Sequence, residues 1–293
     1  MTQGTGTGVL ALADGNDRDD VAAWRGAIVA RELALPLRLL SLASANALDD
    51  ARLRELAAKL EAHFGLPVRI ETTGGDPHAA TVQAARGAAL LVLGSRRGNP
   101  LRELVLGTQA ERLIRLCRVP VLVAKRPPAG AYRRVLVPVD LGPAARPVIA
   151  AAARLSRDPR MEVLHALHPG DEMGMRACEL PEAAVRRERR RVAERARLAL
   201  QALVDEVAPR PEEAVASVAF GDAAALVLAR EQAVRAELIV IGKRRRSLLA
   251  DFLLGSVTQQ VLARSQADVL VLPAAGREVE DSRHDAGWRA QPG

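Results

Sequence analysis

The sequence predicts an α/β protein of two tandem, open, parallel five-stranded sheets with helices on both faces. Three observations predict this. Short apolar runs alternate with stretches of helical period, the same series of runs occurs twice, and in each half the first run ends in an acid and the fourth in a glycine. The 293 residues match about two average domains, and an apolar content of 49% is enough for two cores.

The repeat is explicit. Val9 to Asp14 returns as Val135 to Asp140, and Leu90 to Gly94 returns as Leu238 to Gly242. Leu106-Gly107-Thr108 is echoed by Leu254-Gly255-Ser256, and the run from Val119 to Val123 by that from Ala267 to Val271. Asp140 follows Asp14 by 126 residues, whereas Gly242 follows Gly94, and Gly255 follows Gly107, by 148. A constant later offset after a shorter earlier one indicates duplication with one upstream insertion.

In the first half the strands are expected near 8–13, 37–43, 67–72, 89–94 and 119–124. Their counterparts fall near 133–139, 160–167, 213–220, 237–242 and 268–272. Such nearly continuous apolar runs suit parallel strands buried on both faces. Between them Leu53, Leu56, Ala57, Leu60 and Phe64 form one helical stripe, and Leu106, Ala110, Leu113, Ile114 and Cys117 form another. Pro127-Pro128-Ala-Gly130 reads as a short linker, dividing a first domain at 1–126 from a second at 132–274. The polar segment 275–293 lacks periodicity and is expected to be disordered.

The inserted length lies around Met173 to Ala208, where Pro181 opens a long helix containing Arg186 to Arg191. Glu188 and Glu194 stand at helical spacing from these arginines, as on a solvated, ion-paired face. A phosphate-binding stripe for nucleic acid is the alternative.

Composition removes several classes. No apolar run reaches the roughly 18 residues of a membrane span, and the N-terminus lacks the pattern of a secretory signal, so a cytoplasmic protein is expected. The net charge of +7 rests mostly on arginine, with lysine only at 59, 125 and 243. Aromatic residues amount to 2%, too few to stack unpaired bases, so nucleic acid is not an expected partner. Cys117 and Cys178 have no metal-binding or disulfide framework around them. His165 and His168 sit three apart at a strand end, which sends them to opposite faces and favours packing over metal ligation. His78 follows Asp76-Pro77 as a helix-start residue. Paired catalytic carboxylates, a nucleophile elbow, an HExxH motif and a Walker loop are all missing.

Ligands of open parallel sheets bind at the carboxyl ends of the strands, where strand order reverses. Asp14 with Gly94, and Asp140 with Gly242, are expected to meet there. After each fourth strand comes an arginine-rich loop, and then Gly107-Thr108 or Gly255-Ser256 opens the last helix. Glycine permits close backbone approach, and a helix N-terminus offers unpaired N–H groups to an anion. Thr108 and Ser256 as plain N-caps are the alternative.

The stretch Ile241 to Val257, followed by Ala267 to Leu272, resembles the universal stress protein signature: a glycine, two residues, a second glycine, nine residues, then Gly-Ser or Gly-Thr and a closing strand. Leu93 to Thr108 fits the same frame. The resemblance implies a Rossmann-like, adenine-nucleotide α-hydrolase-like fold in tandem, with the closing strands pairing the two domains as a pseudo-dimer. By that resemblance Asp14 and Asp140 lie near base or ribose. Gly94, Gly107 and Thr108 in one half, and Gly242, Gly255 and Ser256 in the other, line the phosphates. The family has one branch that binds adenine nucleotides and one that binds none. The expected ligand is ATP, ADP or AMP, with or without magnesium, and the alternative is no cofactor at all.

Both halves depart from the frame at its second glycine, which here is Arg97 and Arg245. Arginine there fills ligand volume, or grips phosphate with its guanidinium. Three functions follow: a nucleotide-binding stress sensor, a protein-interaction module whose loops are closed by the two arginines, or a slow ATPase. A homodimer and an unidentified protein partner are compatible with each.

Overall fold

The computed structural model describes residues 8–13, 20–42, 47–94, 110–155, 160–167, 182–208, 214–243 and 254–273. The described residues form two compact units. The first takes those up to Ala131 together with Leu254 and the segment from Asp268; the second runs from Tyr132 to Lys243 and from Gly255 to Ala267.

In the first unit β1 (Val9–Ala13) leads to α1 (Val21–Glu32), β2 (Leu37–Leu42), α2 (Ala47–Phe64), β3 (Val68–Thr73), α3 (Pro77–Ala85) and β4 (Leu90–Gly94). A helical stretch at 110–116 and β5 (Val121–Ala124) follow. The strand order is β3-β2-β1-β4-β5, all parallel. Chain order therefore reverses between β1 and β4. Val9, Leu10, Leu37, Leu39, Leu90, Leu91 and Leu122 are fully buried. Small residues let α1 lie close on this floor: a Cβ at Gly26 would stand 3.0 Å from the Cβ of Ala11 and 3.1 Å from Leu37 Cδ1. Trp24 of α1 meets His63 and Phe64 of α2 edge to face, with ring centroids 5.5 and 5.7 Å away.

The second unit repeats the pattern with β6 (Arg134–Val139), α4 (Ala145–Arg154), β7 (Arg160–Leu167), α5 (Glu182–Val207), β8 (Ala214–Phe220), α6 (Ala223–Val234), β9 (Leu238–Gly242) and α7 (Ser256–Arg264). Its order is β9-β6-β7-β8, again parallel, with the reversal between β6 and β9. The inserted helix α5 buries Val185, Ala196, Leu200 and Val204. On its exposed side Arg186, Arg191 and Arg197 pair with Glu182, Glu188 and Glu194. Those pairs match the solvated reading of the arginine run.

The last strand, β10 (Asp268–Leu272), groups with the first unit although it closes the second repeat. It pairs antiparallel with β5 through Val269↔Val123, Leu270↔Leu122 and Val271↔Val121. All four residues of β5 are buried, and β10 covers its outer edge. The closing strands of the two repeats are thus partners. Gly130, in the predicted linker, has φ +135°, open to glycine alone, and its carbonyl accepts Arg25 Nη1 at 2.8 Å.

The two repeats use one buried position in opposite ways. Arg38 of β2 sits beside Leu10 as Glu162 of β7 sits beside Leu136. Arg38 is held at both Nε and Nη2 by Glu71 of β3, at 2.6 and 2.8 Å, while Glu162 accepts from Arg230 of α6 at 2.6 Å. That contact holds the Arg230 guanidinium above its ordinary pKa.

Candidate functional site

At the switch point of the second unit, the pairing of Val135 with Leu238 and Leu136 with Ile239 sets the carboxyl ends of β6 and β9 side by side. Asp140 follows β6 directly and is exposed, and Gly242 ends β9. The glycine has a packing reason: a Cβ there would lie 2.9 Å from Val148 Cγ2 of α4. Gly94 has the same place in the first unit, where a Cβ would lie 3.3 Å from both the Cβ and the N of Ala22 on α1. In both repeats the fourth strand's terminal glycine admits the first helix to the sheet.

Gly255 and Ser256 divide the roles differently from the simple capping alternative. Gly255 is the N-cap of α7, with φ −62° and ψ 149°, and no side chain caps the helix. Ser256 is its first helical residue and is exposed. Among the described residues, a Cβ at Gly255 would meet nothing within 4 Å. The first N–H groups of an α-helix have no intrahelical partner, and such groups suit an acceptor from outside the helix. By contrast, the first helix of the first unit is closed at its start: Asp20, itself 4% exposed, accepts the N–H of Ala23 at 2.9 Å. The corresponding helix α4 begins at Ala144 with no side-chain cap.

Asp14, Arg97, Gly107, Thr108 and Arg245 lie outside the described residues, as do Cys178, His168 and the segment 274–293. His165 Nδ1 lies 2.9 Å from the carbonyl oxygen of Val139, within hydrogen-bond distance. His78 is the second residue of α3, whose N-cap is Asp76. Among the described residues no group of three His, Cys, Asp or Glu could hold a metal ion, and no helix is long and apolar enough to cross a membrane. A hollow beside α3, lined in part by Arg38, Glu71, Thr73, Asp76 and Gln83, contains none of the predicted site residues.

Sequence reasoning missed Asp20, Val148 and the pair formed by Arg25 and Asp268. Asp20 carried a legible signal, an acid directly before an apolar helical run. The others are long-range contacts without a local signature.

The pattern of the universal stress protein family matches residues 29–125 and again 131–273. The chain belongs to the universal stress protein family. The first match begins within α1, beyond Asp14; the second takes in Asp140, Gly242, Gly255 and Ser256. Solved structures agree on the fold. A protein from Pseudomonas aeruginosa UCBPP-PA14 ascribed to the universal stress proteins has a TM-score of 0.69 and 23% identity, over 90% of this chain and 92% of that one. A functionally unknown protein from Pseudomonas aeruginosa PAO1 has a TM-score of 0.67 and the same identity and coverage. A universal stress protein from Archaeoglobus fulgidus DSM 4304 has a TM-score of 0.66 and 18% identity, over 92% of this chain and 97% of that one. Among curated proteins none matches. As a tandem universal stress protein, the chain pairs its repeats internally through β5 and β10.

Proposed function

We propose that this universal stress protein binds an adenine nucleotide in its second repeat and acts as a nucleotide-responsive module rather than a fast enzyme. The observation that carries this reading is the start of α7, where Gly255 leaves the helix without a side-chain cap and Ser256 stands exposed beside it. A helix N-terminus and the positive end of its dipole suit a phosphate, and a glycine lets one approach the backbone closely. Asp140, at the end of β6, supplies the acid for ribose or base, and Ser256 a hydroxyl for a phosphate oxygen. The second repeat is favoured because the family match there includes the whole motif, and because Asp20 puts a carboxylate at the helix that abuts Gly94 in the first.

Arg245 falls between Gly242 and Gly255 in the sequence, and a guanidinium can hold phosphate in two-pronged fashion. Slow hydrolysis would need an oriented water, for which Asp140 is the acid at hand. The test is to denature purified protein and identify any released nucleotide by absorbance and mass, followed by calorimetry with ATP, ADP and AMP. Released or titrated nucleotide supports the reading, and Arg245→Gly then separates a gripping arginine from an obstructing one. An empty protein without calorimetric heat leaves the interaction module in its place.

A further inference from the structure

Strand β8 ends the second unit, and among the described residues its one strand neighbour is β7. The outward edge of such a strand presents unpaired N–H and C=O groups. Its sequence, Ala-Val-Ala-Ser-Val-Ala-Phe, contains no charge and no proline. The matching edge of the first unit, β3, carries Arg69 and Glu71, charges that discourage pairing with another chain. β8 has no such protection, and Val215 is 58% exposed.

Side chains alternate along the strand. Arg189 of α5 lies over the ring of Phe220 at 5.6 Å, so α5 covers the face that carries Ala214, Ala216, Val218 and Phe220. Val215, Ser217 and Ala219 occupy the other face, where Val215 stands beside Glu162.

The strand complements itself. Turned end for end about Ser217, it sets Phe220 against Ala214, Val215 against Ala219 and Val218 against Ala216. Each larger side chain meets an alanine, the serine meets its own copy, and no like charges meet, which suits cross-strand pairing. A two-fold contact requires this kind of self-complementary patch. We propose that β8 pairs antiparallel with β8 of a second copy of this chain, across a two-fold axis at Ser217.

Sedimentation velocity on the full chain over a concentration series is the first measurement, with a dimer expected. Val215→Lys puts a charge on the edge while preserving the core, and is expected to weaken the dimer at least roughly tenfold with unchanged circular dichroism. Ser217→Cys in a Cys178→Ser background is expected to cross-link to its own copy on oxidation, since residue 217 faces itself across the axis; Arg69→Cys on β3 is not. This second variant decides the matter if Val215→Lys fails to fold. A wild-type chain that stays monomeric throughout, a dimer indifferent to a folded Val215→Lys, or a populated dimer without the 217 cross-link would each overturn the proposal. A monomer that instead takes up an extended peptide along β8 would identify a different partner for the same edge, and likewise overturn it.

Discussion

Nε of Arg25, on the first helix of the first repeat, stands 3.0 Å from Oδ2 of Asp268, the first residue of the strand that closes the second. Their side chains are 6% and 1% exposed. The other carboxylate oxygen accepts the backbone N–H groups of Lys125 and Arg126 at 2.7 and 3.3 Å. One buried acid thereby ties α1, the exit of β5 and the start of β10 together. A buried pair adds little net stability over an apolar one, but removing one partner strands the other's charge. Arg25→Met or Asp268→Leu should each cost about 3–5 kcal/mol. The double variant should cost less than the two together, because no charge is then left alone. Urea unfolding of the four proteins checks this through the double-mutant cycle. Additive losses would mean that the two residues do not act as a pair.

Gly242 and Gly255 should respond oppositely to alanine. At Gly242 the new Cβ collides with Val148, and a loss of about 1–3 kcal/mol is expected from overpacking. At Gly255 a Cβ meets none of the described residues and φ is ordinary, so the fold should lose about 1 kcal/mol or less, from a poorer N-cap. Nucleotide affinity should nevertheless fall in Gly255→Ala if phosphate approaches that backbone. Thermal melts and calorimetry on the two variants separate the effects.

Much of this was legible in the sequence, and what was not has a physical reason. All ten strands lie within about two residues of where they were expected; most are buried apolar runs, and β3, Val-Arg-Ile-Glu-Thr-Thr, is the half-polar edge strand. The helical stripe of Leu53, Ala57 and Leu60 is buried as its period predicts. The pairing of β10 with β5 followed from the family resemblance and not from strand alternation, which states that a strand exists and not which edge it joins. The second role of Gly242, beside Val148, was hidden for the same reason: a glycine spaced for phosphate looks identical to one spaced for a helix. Ser256 looked like an N-cap because serine commonly is one, yet Gly255 takes that position and moves the hydroxyl into the helix.

Glu162 offers a milder version of the buried-charge effect. The acid is 7% exposed, but its partner Arg230 keeps a side chain 44% exposed, so water can replace part of the lost contact. Arg230→Met should cost about 1–2 kcal/mol, less than the loss at Arg25. Glu162→Leu paired with Arg230→Met should recover most of it, as read from urea midpoints. An Arg230→Met loss equal to that of Arg25→Met would contradict the argument from exposure.

The central claim is that the open start of α7 receives phosphate. Backbone amide resonances of Ser256 and Val257, followed while ATP is added to the isotope-labelled chain, test it most directly. Saturable shifts at these two amides, absent with adenosine alone, are the predicted result. Amides that remain unmoved at saturating ATP, whether or not other residues respond, would contradict it.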